Sequence, residues 1–275
     1  MAFFKLRAFE QEGSGVAKDA PKKRGFFAFF EKYFNQFWQM ITLNCWLVLL
    51  SIPVITGGLG SVGMTYIARS FATNQHTFGT SDFFGSIKKN LKQGLVAGIL
   101  NIIINAVLIF STVYYAEAMM AAKGTFSLEA VCFGIVLFML IIFFMMNYYM
   151  WTLIITFDFP LRKVYSNSFK LALVGMKKNL IIVACLLPFY AVCAAIAMLF
   201  GNIGIVIAGF IMVCIFPSLR YLVIEQHIFP VIKKMMIDPY YEKHPDADIE
   251  KRKRLGLEVP NDQEEDSGSV FKDTI

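Results

Sequence analysis

A row of small and polar residues gives the chain its clearest chemical signal. Reading from residue 94, the spacing is four, three, four, three and four, which places the row on one seam of a helix. Its members are Gly94, Gly98, Asn101, Asn105, Leu108 and Thr112. The asparagine amides can hydrogen-bond to a neighbouring helix or line a polar path for a neutral solute, and the small residues permit close helix packing. Both interpretations stay open from the sequence.

Catalytic chemistry is not predicted by the remaining polar residues. The chain has five cysteines and three histidines, dispersed without the spacing that metal ligands need. No Gly-x-Ser-x-Gly, His-Glu-x-x-His or phosphate-binding Gly-Lys-Ser/Thr motif occurs in the sequence. We therefore expect a protein that is not an enzyme, with no catalytic residues, no bound metal and no cofactor.

The elements that carry the seam are long segments without a charged residue. Such runs cover residues 33–68, 94–116, 130–157 and 179–219. Because about 20 apolar residues cross a bilayer as a helix, the second and third runs each fit one crossing, whereas the first and last each suggest two. Hydrophobic residues make up 57% of the chain and charged residues 17%. The sequence thus predicts a multi-pass membrane protein.

The predicted fold is an all-α transmembrane bundle of about six segments, arranged as three helical hairpins. Glycines punctuate both double-length runs, around Gly57 and around Gly201. The first run is barely long enough for two crossings, so its second leg is expected to be short, tilted or re-entrant. The segments are predicted near residues 36–56, 59–72, 94–116, 130–157, 180–200 and 203–224.

Three regions follow from this organisation. Residues 1–25 are expected to form a flexible basic tail, 26–235 the membrane domain, and 236–275 a polar, partly disordered tail. Aromatic and basic residues precede the hairpins, which is typical of interfacial helices on the cytoplasmic side. The stretch from Lys88 to Leu91 even recurs as Lys177 to Leu180.

The basic residues indicate how the chain is oriented. With six segments, 25 of the 26 Lys and Arg residues fall on one side and only Lys123 on the other. The positive-inside rule then places both termini in the cytoplasm of a multi-pass protein of the cell membrane. A rival arrangement has five spans and an external amino terminus. The net charge of +6 is attributed to loops facing anionic lipid rather than to nucleic-acid binding.

Two further expectations concern individual side chains. No titratable residue is expected inside a span, and Arg69 is assigned to the first inner loop. Four aromatic residues near the predicted inner boundary are expected to anchor the protein at the lipid interface. They are Trp38, Tyr148, Tyr149 and Trp151.

Two stretches carry a resemblance to a known family. The first comprises Asn44, Trp46 and the run from Ile52 to Gly57, and the second is the run from Phe83 to Gln93. Over roughly residues 26–234 the chain resembles the YesL-like family of small bacterial integral membrane proteins. The biochemical activity of that family is undefined, and many members are encoded near carbohydrate uptake systems of the ATP-binding-cassette (ABC) type. The resemblance carries over no catalytic or binding residue.

Two functional hypotheses remain from the sequence. The resemblance implies a non-enzymatic accessory or regulatory component linked to ABC-type carbohydrate uptake, with the lipid bilayer and the permease subunits of a sugar transporter as partners. The alternative is a small neutral-solute transporter or channel that uses the face of Asn101 and Asn105, together with Asn147 or Tyr148.

Overall fold

The computed structural model describes residues 33–73, 75–122 and 127–244. These residues form helices and connecting turns, without strands, so the all-α prediction is confirmed for this part of the chain. The helices are α1 (Phe37–Ser51), α2 (Gly57–Ala72), α3 (Thr80–Lys89), α4 (Leu91–Ala121), α5 (Leu128–Thr156), α6 (Leu161–Val174), α7 (Met176–Cys214), α8 (Phe216–Ile232), a π-helix (Lys233–Ile237) and α9 (Asp238–Lys243).

The chain divides into two units, residues 1–37 and residues 38–275. In the first unit the described residues are 33–37, where the rings of Tyr33 and Phe34 meet edge to face at 5.9 Å. The predicted basic tail, residues 1–25, lies outside the described residues.

In the described part of the chain, three helices are long and apolar enough to cross a membrane. They are α4 with 31 residues, α5 with 29 and α7 with 39. Large apolar side chains on these helices face outward, among them Phe110 (73% exposed), Phe138 (61%) and Val206 (72%). Because a continuous apolar surface of this kind is costly in water, lipid is its natural solvent. The chain is therefore an integral membrane protein.

Helix α7 contains a chain reversal at the predicted position. Gly201 has φ +54° and ψ −132°, which interrupts the helix. A Cβ atom on Gly204 would lie 2.1 Å from the carbonyl oxygen of Ile196, eight residues earlier. In a straight helix these residues would be about 12 Å apart, so the two arms of α7 must fold back on each other.

The second arm of this hairpin continues through a break into α8. Ile215 separates α7 from α8, and Pro217 stands in the first turn of α8. Helix ends leave carbonyl groups without partners in the helix. Here the buried Asn44 of α1 donates from Nδ2 to the Cys214 carbonyl oxygen at 2.7 Å and to Ser218 Oγ at 2.9 Å. The side chain thus fixes α1 against the break.

The first hairpin, α1 and α2, is shorter than the others. Its turn includes Val54, the one described non-glycine residue with positive φ, at 60°. Helix α2 begins next to Gly98, which is only about 10 Å from the start of α4. The turn also exposes the apolar side chains of Ile52, Val54 and Ile55. This geometry fits the short or re-entrant segment, whereas the total of six segments stays a prediction.

Two short helices precede the long ones, where interfacial helices were predicted. Helix α3 buries Phe83, Ser86 and Ile87 and then breaks at Asn90, the residue before α4. Helix α6 buries Val164, Ser168, Leu171 and Ala172 and breaks at Gly175, the residue before α7. The position of both helices at a lipid interface stays a prediction.

Beyond α8 the chain stays helical as far as Lys243. The predicted tail, residues 236–275, therefore starts with helical structure, and the remainder from residue 245 lies outside the described residues.

Candidate functional site

The glycines of the predicted seam lie against another glycine. A Cβ atom on Gly98 would be 2.8 Å from the Cα of Gly58 in α2, and one on Gly94 would be 2.9 Å from Cγ2 of Val62. Real Cβ atoms essentially never approach so closely. These two seam positions are therefore where α2 and α4 pack backbone to backbone.

The asparagines of the seam turn toward a different helix. Asn101 donates from Nδ2 to Oδ1 of Asn147 in α5. Asn105 donates to the Asn101 carbonyl oxygen at 2.9 Å and also contacts the Asn101 side-chain oxygen. Asn147 in turn donates to the Phe143 carbonyl oxygen at 2.8 Å. The three amides form one hydrogen-bonded chain between α4 and α5.

The last polar residue of the seam does not reach a neighbouring helix. Thr112 donates from Oγ1 to the carbonyl oxygen of Leu108, one turn earlier in α4, at 2.7 Å. Such a bond satisfies the hydroxyl within its own helix.

A small cavity lies beside Asn101. It has a volume of about 260 Å³, and its lining includes Ser51, Gly58, Ser61 and Trp151. Ser61 accepts a hydrogen bond from the Tyr221 hydroxyl at 2.9 Å. The cavity therefore joins the tip of the first hairpin to the polar part of the seam.

Two buried ionisable residues were missed by the sequence analysis. Arg69 in α2 is 4% exposed and Glu225 in α8 is 1% exposed, and both side chains hydrogen-bond to threonines of α5. Arg69 donates from Nη1 to Thr156 Oγ1 at 2.8 Å, while Glu225 Oε1 accepts from the Thr152 hydroxyl. Glu225 Oε2 has no hydrogen-bond partner among the described residues.

The expectation that no titratable residue lies inside a membrane span stays a prediction. The assignment of Arg69 to an inner loop was wrong, since Arg69 lies in α2 and is buried, as Glu225 is in α8. The reason is that each is placed on the packed face of its helix, so its neighbours are other helices instead of water. Charge counting along the chain cannot detect this. The sequence did contain one signal for the burial of Glu225, which is its spacing from apolar residues. Leu222 lies three residues before Glu225, and three apolar residues lie three, four and seven residues after it, namely Ile228, Phe229 and Ile232. This is the spacing of one buried helix face.

The predicted aromatic anchors also need correction. Tyr148, Tyr149 and Trp151 are 3%, 0% and 9% exposed, so they pack inside the bundle, whereas Trp38 is 79% exposed. Tyr149 donates from its hydroxyl to Asn179 Oδ1 at 2.9 Å. The same hydroxyl occupies the place where a Cβ on Gly175 would lie, 1.9 Å away. Tyr149 thus helps to hold α5 against the break between α6 and α7.

One tyrosine outside the long helices has an altered acidity. Burial raises the pKa of the Tyr165 hydroxyl in α6 above its ordinary value. That hydroxyl donates to the carbonyl oxygen of Ala97 in α4 at 3.4 Å. The bond links an amphipathic helix to a membrane helix.

A second cavity borders the Arg69 side chain. Its volume is about 290 Å³, and it lies where α2, α3 and the end of α5 meet. Its polar lining includes Tyr66, Arg69, Asp82, Ser86, Lys89, Asn90, Thr156 and Asp158. Lys89 and Asp158 are exposed to solvent. Among the described residues no group of three or more His, Cys, Asp or Glu side chains is placed to hold a metal ion.

Comparison with known proteins gives one match. A family model described as "Protein of unknown function, DUF624" matches residues 33–112. The matched part covers α1, α2, α3 and most of α4, and with them Arg69 and the whole seam. No curated protein and no solved structure matches the chain. The chain therefore contains a domain of unknown function within an integral membrane protein.

Proposed function

We propose that this protein is a non-enzymatic accessory or regulatory component of ABC-type carbohydrate uptake, which contacts the permease subunits of the transporter within the cell membrane. The link to carbohydrate uptake comes from the resemblance to the YesL-like family, and the matched domain of unknown function is compatible with it. Both termini are assigned to the cytoplasm by the distribution of basic residues.

The observation that carries this proposal is that the side-chain amides of the seam are engaged in hydrogen bonds within the protein. Asn101, Asn105 and Asn147 hydrogen-bond to one another and to backbone carbonyls. Amides engaged in this way stabilise helix packing and leave fewer free groups for a moving solute. A role in holding a rigid membrane scaffold is therefore favoured over conduction.

The outer faces of the long helices supply a surface for lateral contact. Phe110 of α4, Phe138 of α5 and Val206 of α7 are all more than half exposed. Helices in a bilayer associate through shape-complementary packing of such faces. A membrane-embedded permease is the kind of partner that such a face can meet.

Photo-cross-linking in the native membrane tests the association. A photoreactive amino acid is placed at Phe110, Phe138 or Val206, with buried Leu43 as the matched control position. We expect ABC permease subunits among the cross-linked products from at least one exposed position and none from Leu43. If all exposed positions capture only unrelated abundant membrane proteins, the accessory function is wrong.

The second candidate function, transport of a small neutral solute, rests on the 260 Å³ cavity beside Asn101. Purified protein in vesicles would then conduct a neutral solute such as glycerol or a sugar. Replacing Asn101 and Asn105 together with Leu should abolish the flux, while Asn167→Leu, in α6 and away from the cavity, should preserve it. Absence of flux in the unmodified protein would rule this function out.

A further inference from the structure

The 290 Å³ cavity between α2, α3 and the end of α5 is lined by charged side chains of both signs. Arg69 and Lys89 contribute positive charge, and Asp82 and Asp158 contribute carboxylates. Within the described part of the chain, neither Arg69 nor Lys89 forms a salt bridge with a carboxylate. The cavity therefore offers both cationic and anionic groups to a ligand.

Arg69 supplies hydrogen-bond donors at the inner wall of the cavity. The guanidinium group has five N–H donors, and Nη1 donates to Thr156 Oγ1 at 2.8 Å. Nε and Nη2 have no hydrogen-bond partner among the described residues, and neither nitrogen is fully enclosed by protein. Because the side chain lines the cavity, these donors are open to an acceptor inside it. Phosphate oxygens match the planar donor geometry of a guanidinium group.

The carboxylates of the lining favour a ligand that also carries a positive charge. Asp158 is exposed, and half-buried Asp82 accepts a hydrogen bond through Oδ2 from the Phe78 backbone N–H at 2.8 Å. A simple anion would be repelled by these two carboxylates, and a simple cation would be repelled by Arg69 and Lys89. A zwitterion, which has both charges in one group, is attracted by both sets of side chains.

Tyr66 narrows the kind of positive group that fits. Sites for quaternary ammonium groups are built from several aromatic rings. Tyr66 is the one aromatic residue of the described lining, and its ring already lies beside the Arg69 guanidinium, with 5.3 Å between Cζ and the ring centroid. A primary ammonium, which donates N–H bonds to carboxylates, suits this lining better than a choline group.

The cavity lies at one end of a membrane helix. Helix α5 has 29 residues, so it is about 43 Å long at 1.5 Å per residue. A bilayer is about 40 to 45 Å thick when its headgroup regions are included. Thr156, the last residue of α5, and Asp158 just beyond it both line the cavity. We therefore expect the cavity at the depth of the lipid headgroups.

From these observations we propose that the cavity binds the headgroup of a zwitterionic phospholipid with a primary ammonium, the chemistry of phosphatidylethanolamine. The phosphate accepts hydrogen bonds from Arg69 and Lys89, and the ammonium donates to Asp158. Pockets for drug-sized molecules start at about 300 Å³, so a cavity of 290 Å³ suits a headgroup whose acyl chains stay in the bilayer. The inference does not rest on the accessory function, since the site lies within one chain.

Native mass spectrometry of the full-length protein in detergent measures the affinity for each lipid. Phosphatidylethanolamine, phosphatidylcholine and phosphatidylglycerol with identical dioleoyl chains are titrated separately, and soluble glycerophosphoethanolamine is added as a competitor that carries the same headgroup. The variants are Lys89→Met and Asp158→Asn. Lys88→Met and Glu242→Gln are the matched controls, because both positions are exposed and lie outside the cavity lining. Thermal unfolding of each variant is recorded in parallel.

We expect phosphatidylethanolamine to bind at least about tenfold more tightly than the other two lipids. Lys89→Met should weaken the binding of phosphatidylethanolamine and phosphatidylglycerol by about threefold, the size of one exposed ion pair. Asp158→Asn should weaken phosphatidylethanolamine but strengthen phosphatidylglycerol, because a carboxylate that attracts the ammonium repels an anionic headgroup. A general loss of structure would not change the two affinities in opposite directions. The control variants should bind like the unmodified protein.

The proposal is overturned if phosphatidylethanolamine binds no more tightly than phosphatidylcholine or phosphatidylglycerol, or if neither Lys89→Met nor Asp158→Asn changes its affinity. It is also overturned if glycerophosphoethanolamine competes at the same concentration as the intact lipid, since the ligand would then be a soluble zwitterion. A failure of cross-linking to a permease would leave these results unaffected, so the two proposals fail separately.

Discussion

Gly58 of α2 and Gly98 of α4 are in backbone contact, such that a Cβ atom on Gly58 would lie 2.6 Å from the Cα of Gly98 and 2.6 Å from the carbonyl oxygen of Gly94. This contact fixes the tip of the first hairpin beside the first turns of a membrane helix. It also determines where the neighbouring cavity and the seam amides lie.

Substitution of Gly58 by Ala is expected to destabilise the protein. The added methyl group would meet backbone atoms that cannot rotate away, so the helices must separate, at a cost of about 1 to 3 kcal/mol. Thermal or chemical unfolding in detergent measures the effect. Gly134→Ala in α5 is the matched control, because nothing lies within 4 Å of its added atom. Equal stability of the two variants would show that the close contact does not exist.

Removal of Arg69 or Glu225 alone is expected to cost more than removal of both. Arg69→Met leaves the Glu225 carboxyl buried without the nearby guanidinium cation, so we expect the free energy of unfolding to fall. The double variant with Glu225→Met should recover part of that loss, as measured in a double-mutant unfolding cycle. Arg162→Met, at an exposed position, serves as the control. Additive effects of the two substitutions would argue against coupling.

The hydrogen bond between Asn101 and Asn147 is expected to contribute modestly to stability. Side-chain hydrogen bonds between membrane helices contribute on the order of 0.6 to 2 kcal/mol. Asn101→Leu and Asn147→Leu should each lower the unfolding free energy by about that amount, and the double variant should lose less than their sum. Thr112→Val, at a seam position bonded only within its own helix, is the comparison. If Asn101→Leu and Asn147→Leu act independently, the amides do not pair.

The tip of the first hairpin is expected to be shielded from water on both sides of the membrane. In a cysteine-free background, Ile55→Cys should resist a membrane-impermeant maleimide in intact cells and also in inside-out vesicles, because the α1–α2 turn is apolar and lies beside Gly98. Labelling of Ile55→Cys in intact cells would instead mean that α2 crosses completely, as a six-span bundle requires.

Much of the helical framework could be predicted from residue types alone. The charge-free runs around α4 and α5 are long enough for one crossing each, and the glycine at 201 marks the reversal in α7 because only a residue without Cβ adopts its φ of +54° readily. Hydropathy identifies such features since they depend on local composition and length.

The relative placement of the helices could not be predicted in the same way. Hydropathy does not tell which face of an apolar helix meets protein and which meets lipid, so Tyr148 and Tyr149 were expected at the lipid interface although they are buried. The burial of Arg69 and Glu225 depends on contacts between α2, α5 and α8, which are far apart in sequence. The burial of the Ser86 hydroxyl, which has no hydrogen-bond partner among the described residues, likewise depends on how α3 is packed.

The most direct test of the account is the side of the membrane on which its connecting segments lie. In the cysteine-free protein, an impermeant maleimide applied to intact cells should label Ser127→Cys, just before α5, and should leave Lys89→Cys and Lys178→Cys unlabelled until the membrane is permeabilised. Labelling of the two lysine positions in intact cells, or extraction of the protein from membranes by carbonate, would contradict the account.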